Sequence, residues 1–194
     1  MLLSLSSLSN IAVNNMARQI RKKSGTGIYH VMLRGINRQD IFEDNEDYLQ
    51  MTSILRAQSE RYDEKGIRLP PFCTFYAYCL MSNHLHLLIQ EREDNISDIV
   101  KRIGVTYAHY FNKKYERNGH LFQDRFRSEP VDDIEYFVTL LRYIHQNPLK
   151  AGITENINDF HGAVGKIIHP ISVRPRSALQ ELCLPVSVRQ TWWN

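Results

Sequence analysis

Residues 73–90, CTFYAYCLMSNHLHLLIQ, decide the fold of this chain. They contain two β-rich runs, 73–81 and 84–90, which are separated only by Ser82 and Asn83. Two polar residues between such runs are typical of a tight turn, so the stretch is predicted to form an antiparallel hairpin. The hairpin is the local unit around which the other elements must be arranged.

The second strand of this hairpin has one apolar and one polar face. Alternation along a strand places His84 and His86 on one side and Leu85, Leu87 and Ile89 on the other. Two imidazoles a few ångströms apart could share a divalent metal ion. Ordinary surface histidines, or hydrogen-bonded core histidines, would produce the same isolated pattern, so the pair alone does not decide between these interpretations.

Helical and strand periodicities place further elements on both sides of the hairpin. The sequence predicts a strand over 28–34, a helix over 45–62, a helix between 95 and 119, a strand over 121–128 and a helix between Pro130 and Pro148. This order predicts an α+β, ferredoxin-like (RRM-like) sandwich with a central antiparallel sheet and an added C-terminal helix.

The added helix carries a second pair of polar side chains. Tyr143 and Asn147 are four residues apart, so they lie one turn apart, on a face about 120° from the predicted core centre. A phenol and an amide oxygen beside two histidines would supply a nucleophile and a third metal ligand for phosphodiester transfer. Without the histidines, Tyr143 would be interpreted as a packing residue at the core margin, and Tyr136 is the nearest competing nucleophile. Four apolar side chains are predicted to face the core: Ile134, Phe137, Leu141 and Ile144.

Composition excludes some classes of protein. The chain has 194 residues, enough for one domain with extensions, and it lacks an apolar run long enough to span a bilayer, so no membrane role is expected. A net charge of +3 is too small to indicate nucleic-acid binding by itself. Cys73, Cys79 and Cys183 lack the spacing of a zinc or redox motif and are expected to be free thiols in a reducing cytoplasm.

The chain is predicted to divide into three parts. Residues 1–27 form a flexible, basic N-terminal extension, residues 28–152 form the domain, and residues 153–194 form a C-terminal appendage with weak patterns and scattered prolines. The opening MLLSLSSLSNIAV has no basic residue before its apolar stretch, as a secretory signal would require. Met16 begins MARQIRKKSG, which would serve as a start for the domain, so residues 1–15 are expected to be an upstream extension.

Three segments, FYAYCLMSNHLHLLI, GHLFQDRFRSEPV and YFVTLLRYIHQNPLKAG, together resemble the single-tyrosine HUH transposases of the insertion-sequence-200-like type. The resemblance is greatest to their REP-associated tyrosine transposase branch and extends from about residue 28 to residue 152. It implies that His84, His86 and Asn147 hold Mg²⁺ or Mn²⁺ and that Tyr143 is the nucleophile. The segment ENINDFHGAVGKIIHP, after Gly152, lacks the aromatic-Ser pattern expected at that place.

The resemblance also implies an activity and a partner. The protein is expected to be a cytoplasmic, nucleoid-associated enzyme that cuts and rejoins single-stranded hairpin DNA through a 5′-phosphotyrosine, as a homodimer or as a monomer. Arg125 and Arg127 alternate on the predicted last strand and should face one side. The side chains expected to contact DNA are Lys22, Lys23, Arg34, Arg38, Arg125 and Arg127.

Three other readings stay open from the sequence. The first is a catalytically silent regulator that binds hairpin DNA or RNA with the same fold. The second is a rolling-circle initiator or relaxase, which shares the chemistry but usually belongs to a longer chain. The third is an unrelated metal hydrolase, which is disfavoured because no carboxylate joins the histidines at a compelling spacing.

Overall fold

A computed structural model describes residues 21–150 of the chain. Residues 1–20 and 151–194 lie outside the described part, and with them Cys183 and most of both predicted extensions. The elements, in chain order, are β1 (Ile28–Arg34), a 3₁₀ turn (Ile36–Arg38), α1 (Asn45–Ser59), β2 (Arg61–Tyr62), β3 (Arg68–Leu69), β4 (Cys73–Met81), β5 (His84–Glu91), α2 (Ile96–Lys114), β6 (Arg127–Pro130) and α3 (Ile134–Lys150). None of the described helices is long and apolar enough to cross a bilayer.

The main sheet has four strands in the order β4-β5-β1-β6, and all neighbouring strands are antiparallel. The hairpin predicted from residues 73–90 is the pair β4 and β5. The first strand of the chain lies between this hairpin and the last strand, as in a ferredoxin-like sandwich. The predicted fold class is therefore confirmed.

The sheet separates two apolar clusters, and strand alternation assigns each side chain to one of them. On one face, α1 and α2 cover Val31, Leu33, Leu85, Leu87 and Ile89, together with many other buried residues. On the other face, α3 covers a smaller cluster that shares the sheet surface with polar groups. Its buried members are Ala77, Cys79, Met81, Leu88, Val131, Leu140 and Ile144.

The loop after β1 packs against the turn of the β4–β5 hairpin. The carbonyl of Asn83 accepts a hydrogen bond from the Gly35 amide at 2.9 Å, and the carbonyl of Ser82 accepts one from the Ile41 amide at 2.7 Å. A Cβ at Gly35 would lie 2.2 Å from the Gln39 carbonyl oxygen, so only glycine allows this close approach. The loop thereby holds the turn that immediately precedes His84.

Helix starts follow the expected capping chemistry, whereas some predicted ends were wrong. Asp44 and Asp47 form a capping box at α1, and Asn95 caps α2. Helix α1 ends at Ser59, short of residue 62, because the next residues pair with Arg68–Leu69 in a small hairpin that was not predicted. Helix α3 continues past Pro148, where proline removes one backbone donor but keeps a helical φ.

The last strand was also misplaced. It was predicted over residues 121–128, but β6 spans Arg127–Pro130. Residues 121–126 instead use their backbone groups beside the end of β1, where Leu121 O accepts from the Ile36 amide and the Gln123 amide donates to Arg34 O. The sequence of residues 121–128 alternates as a strand would. However, residues 121–126 bond mainly to the end of β1 and to the loop after it, so they do not extend the β1–β6 pairing.

Candidate active site

The polar face of the hairpin points at α3. His84 and His86 lie on the face of β5 opposite the fully buried Leu85 and Leu87, as alternation predicted. Their ring centroids are 5.0 Å apart and the rings are nearly perpendicular. His86 is only 1% exposed, so one imidazole of the pair is enclosed between the sheet and the helix.

Helix α3 brings Tyr143 to the same face. The Tyr143 ring centroid lies 5.6 Å from that of His86, and the two rings are perpendicular. The buried side chains of Leu140 and Ile144 anchor the helix here. Tyr143 is partly buried and flanks the smaller cluster, as expected, whereas Asn147 is 9% exposed and lies closer to the core than predicted.

The apolar face predicted for α3 was only partly correct. Ile144 is buried, and Phe137 and Leu141 pack at the edge of the smaller cluster. Ile134 is 71% exposed, because it is the first residue of the helix, and Leu140 takes a buried place that was not predicted. The core side is thus centred on Leu140 and Ile144. Tyr143 is next to Ile144 in the chain and Asn147 lies about one turn after it, so both lie near the sheet.

A third histidine, which the sequence analysis missed, joins the pair. His30 on β1 is 9% exposed, and its ring stacks on His86 with centroids 5.3 Å apart. Its Nε2 atom lies 3.1 Å from His86 Nδ1, within hydrogen-bonding distance. The Tyr143 ring lies 6.3 Å from that of His30. The predicted fold could have indicated His30. In a ferredoxin-like order β1 lies beside β5, and alternation puts His30 on the same face of β1 as Arg34, which pairs with His84.

Each of the two histidines of β5 has a polar partner at its Nδ1 atom. For His84 the partner is Asn83, whose side-chain oxygen lies 2.7 Å away and can only accept, so Nδ1 carries the proton. The Asn83 amide nitrogen donates to the Arg38 carbonyl at 3.3 Å, which orients that amide. His84 Nε2 is then the ring nitrogen with a lone pair.

The three imidazoles are neutral near neutral pH. Burial lowers the pKa of His30 to about 4. Burial, and then the Arg34 guanidinium, lower the pKa of His84 to about 4. Burial holds the pKa of His86 well below its ordinary value, with further contributions from His30 and His84. Neutral imidazole is the form that binds metal ions.

The phenol of Tyr143 is harder to ionise than a tyrosine in water. Burial raises the pKa of Tyr143 above its ordinary value, and the neighbouring Asn147 side chain offsets part of that rise. Asn147 is 9% exposed, yet its amide nitrogen makes no hydrogen bond of good geometry with any described residue. Tyr143 and Asn147 are thus adjacent, and their side chains interact.

The donor atoms suit a cation with nitrogen and oxygen ligands. Among residues 21–150, the buried Nε2 atom of His86 has no hydrogen-bond partner, and a lone pair on this nitrogen is a group that a cation can satisfy. In the same described part, no three His, Cys, Asp or Glu side chains come together as an ion site. A third protein ligand for a metal there would have to be of another type, such as the amide oxygen of Asn147.

Basic side chains gather at one end of the site. Arg34 lies directly across from His84 in the β1–β5 pairing, and Arg127 lies across from Met32 in the β1–β6 pairing. The pKa of Arg34 is lowered by burial and then by the positive charges of Arg38 and Arg127, so the three guanidinium groups are close. We call Arg34, Arg38 and Arg127 the arginine cluster.

The other predicted DNA-binding residues lie elsewhere. Lys22, Lys23 and Arg125 line a hollow beside the start of α2, where the Arg21 guanidinium stacks 3.7 Å from the Phe126 ring. Arg125 precedes β6, so it does not alternate with Arg127 on one strand, and the expectation that the two face one side was wrong. The basic residues thus form two groups.

Nearby side chains that could compete with Tyr143 are engaged or inert. The Tyr136 hydroxyl donates to Glu129 at 2.8 Å, and burial and then this carboxylate raise the pKa of Tyr136. Burial raises the pKa of Cys79 to about 12, so its thiol is not a nucleophile near neutral pH. Cys73 is also a buried free thiol, as expected for both.

Comparisons with known proteins identify a family whose model matches the chain and a solved structure with the same fold. A family model described as "Transposase IS200 like" matches residues 23–147. A candidate REP-associated tyrosine transposase of Haemophilus influenzae is 32% identical over 117 residues, which cover 52% of this chain and 65% of that relative. The chain thus spans just under two thirds of the relative's length. A solved structure of a REP-associated tyrosine transposase bound to a REP hairpin has the same fold, with a TM-score of 0.55, 16% identity, and coverage of 75% of this chain and 80% of that one.

Proposed function

We propose, from the premise that this chain belongs to the IS200-like transposase family, that it cuts and rejoins single-stranded DNA with Tyr143 as the nucleophile. The observation that carries the proposal is the position of the Tyr143 ring, 5.6 Å from His86 and on the same face of the sheet as His84. Residues from β5 and α3, distant in the chain, meet at one place where a phosphodiester could lie.

The residues that would hold Mg²⁺ or Mn²⁺ are His84, His86 and Asn147. The neutral imidazoles and the partnerless His86 Nε2 atom support this assignment. When bound, the ion would withdraw charge from a non-bridging oxygen of the scissile phosphate and stabilise the charge that develops there. Because these three ligands carry no charge, none of the positive charge would be neutralised by the protein.

The covalent step follows from the nucleophile. The Tyr143 oxygen attacks phosphorus in line, a phosphorus–oxygen bond to the tyrosine forms, and the bond to the 3′-oxygen of the leaving strand breaks. The phenol proton leaves to water and the 3′-oxygen takes up a proton, so the products are a 5′-phosphotyrosine and a free 3′-hydroxyl. A second 3′-hydroxyl can reverse the step and join strands without ATP, because one phosphate ester has replaced another.

The arginine cluster would hold the DNA strand. Arg34 places a positive charge beside His84, and Arg38 and Arg127 add two more near Arg34, which suits the phosphates that flank the scissile one. Lys22, Lys23 and Arg125 would contact DNA at a distance from the cleaved bond. The solved relative is bound to a REP hairpin, which supports hairpin-containing single-stranded DNA as the substrate.

The test is covalent capture of labelled DNA. Single-stranded hairpin oligonucleotides with flanking arms on both sides are incubated with the protein and Mn²⁺, and adducts that resist denaturation are resolved on a gel. Tyr143→Phe should form no adduct. Tyr136→Phe is the matched control, because it removes a hydroxyl from the same helix that is already bonded to Glu129, and it should keep the adduct.

The outcomes separate the proposal from its nearest alternative. An adduct that persists in Tyr143→Phe would identify another nucleophile and refute the assignment. Hairpin binding by the wild type without an adduct in Mn²⁺ or Mg²⁺ would instead favour the silent regulator that binds hairpin nucleic acid with the same fold. Loss of the adduct in both tyrosine variants would make the two hydroxyls equally necessary and would contradict the assignment of Tyr143 alone as the nucleophile.

A further inference from the structure

The buried contact between His30 and His86 has no role in the chemistry described so far. His30 lies on β1 and His86 on β5, and their ring nitrogens meet at 3.1 Å. In the strand pairing His86 lies across from Met32, so His30 is its diagonal neighbour on the same face. The two rings are stacked within 15° of parallel, and both are 9% exposed or less.

The proton between these rings decides which nitrogen of His86 can bind a metal ion. A neutral imidazole carries one proton, so it donates from one nitrogen and accepts at the other. If His86 Nδ1 donates to His30 Nε2, the lone pair of His86 is at Nε2, the buried nitrogen that has no partner among the described residues. If His30 Nε2 donates instead, His86 Nε2 carries the proton and cannot be a ligand.

The surroundings of the two nitrogens favour the first arrangement. In it, His86 Nε2 is a bare lone pair pointing into the site, which a cation can satisfy. In the second, Nε2 would carry a buried N–H with no acceptor in the described part of the chain, which costs more than an unused lone pair. His84 follows the same rule, because Asn83 takes its Nδ1 proton.

We propose that His30 is a positioning residue, which accepts the Nδ1 proton of His86 and so presents the Nε2 lone pair of His86 to the metal ion. The proposal rests on the proposed function, in which His84, His86 and Asn147 are the ligands. His30 also packs edge-on against Tyr143, with ring centroids 6.3 Å apart, so it keeps the nucleophile and the ligand in a fixed relation. Partners of this kind orient metal-binding histidines in many proteins.

The first test reads the proton directly in the wild-type protein. With ¹⁵N-labelled histidine and no metal, long-range ¹H–¹⁵N NMR reports which nitrogen of each ring carries hydrogen, and single substitutions assign the signals. We expect His86 to be protonated at Nδ1 and His30 to be unprotonated at Nε2. A proton on His86 Nε2 would overturn the proposal. This measurement requires no variant to be stable.

The second test measures Mn²⁺ affinity by the loss of the free-ion EPR signal. His30→Phe keeps a stacked ring but removes the acceptor, and it should weaken binding by about 10- to 100-fold. His30→Gln, whose amide oxygen can accept from Nδ1, should recover most of that loss. His109→Phe makes the same change at an exposed histidine of α2 and should bind Mn²⁺ like the wild type.

The possible failures can be told apart. Equal Mn²⁺ affinity in the wild type and His30→Phe would overturn the positioning role while leaving the metal site intact. Equal weakening in His30→Phe and His30→Gln would show that the ring shape, and not its acceptor, is needed, which also overturns the role. No Mn²⁺ binding by the wild type would overturn the metal site of the proposed function together with the role of His30.

Discussion

Replacing Asp47 with asparagine should destabilise the protein far more than the same change at the neighbouring Asp44. Asp47 is 0% exposed at the start of α1. Its carboxylate accepts hydrogen bonds from Lys114 at 2.9 Å, Tyr115 at 2.8 Å and Tyr110 at 3.0 Å, which come from α2 and its C-terminal end. It also accepts from the Glu43 amide at 2.8 Å. One carboxylate therefore ties α1 to α2.

The size of the effect follows from these partners. Removing one member of a buried ion pair costs about 3–5 kcal/mol, because the remaining donors lose their acceptor. Two features place the cost of Asp47→Asn at the lower end of this range. Lys114 keeps ion pairs with Asp44 and Glu46, and the groups that seal Asp47 from water are themselves partly exposed. We expect a loss of about 3 kcal/mol, or roughly 10 °C in melting temperature.

The pH dependence of this effect has a definite sign. Burial opposes ionisation of Asp47, but its hydrogen bonds outweigh burial and hold the pKa of that carboxyl below its ordinary value. A carboxyl with a depressed pKa stabilises the fold above its unfolded pKa, and the contribution is lost as the pH falls through the folded pKa. The stability difference between the wild type and Asp47→Asn should therefore be constant from pH 7 to about pH 5 and shrink below about pH 4.

The assay is urea unfolding followed by circular dichroism, with Asp44→Asn as the matched control. Asp44 shares Lys114 as a partner, but its side chain is 51% exposed, and asparagine caps a helix as well as aspartate does. A loss in Asp47→Asn no larger than that in Asp44→Asn would refute the reasoning. Covalent capture of DNA at a temperature where both variants are folded should be unchanged, because Asp47 lies on the α1 side of the sheet.

Two further predictions concern the site. In hairpin DNA binding, Arg127→Gln should reduce the slope of log Kd against log salt concentration by about 0.7, the value for one phosphate contact on a single strand. Arg68→Gln, on the exposed strand β3, should leave the slope unchanged. An Arg127→Gln slope equal to that of the wild type would exclude Arg127 from the DNA contacts. In EDTA, His30 is neutral when folded because burial lowers its pKa to about 4 from 6.5, so stability falls as the pH drops below 6.5. Protonation of His30 should account for a loss of about 2 kcal/mol in the free energy of unfolding at pH 5. In urea unfolding, the stability difference between pH 7 and pH 5 should therefore be smaller by about that amount in His30→Phe than in the wild type.

Local signals explain which parts of the fold could be predicted. The hairpin from β4 to β5 was predicted because two β-rich runs and the two-residue turn between them lie within one short stretch. The small hairpin β2–β3 and the true position of β6 could not be read in this way. Strand β6 is defined by pairing with β1, about a hundred residues earlier in the chain, and the alternating residues before it bond to a loop.

In the candidate site too, the features that depend on local sequence could be predicted and those that depend on distant residues could not. The shared face of His84 and His86 follows from alternation, and the one-turn relation of Tyr143 to Asn147 follows from helix geometry. The rotation of α3 did not follow, because Ile134 resembled a core residue while Leu140 does the packing. His30 carries no local signal, since its partner His86 lies 56 residues away and only the sheet order brings them together.

The site has its geometry because the opposite face of the sheet fixes the strand register. Shifting β5 by one residue would turn Leu85, Leu87 and Ile89 out of the large cluster and put His84 and His86 into it. Burying three such side chains contributes about 1.5–3 kcal/mol each, so the shifted register would lose on the order of 5 kcal/mol or more before the cost of burying imidazoles in an apolar core. The apolar contacts beneath α1 and α2 therefore hold the imidazoles of His84 and His86 toward α3 without any contribution from a bound ion. In the proposed function, a metal ion that enters this site would meet its ligands already in place, and its binding energy would remain available for charge stabilisation at the phosphate.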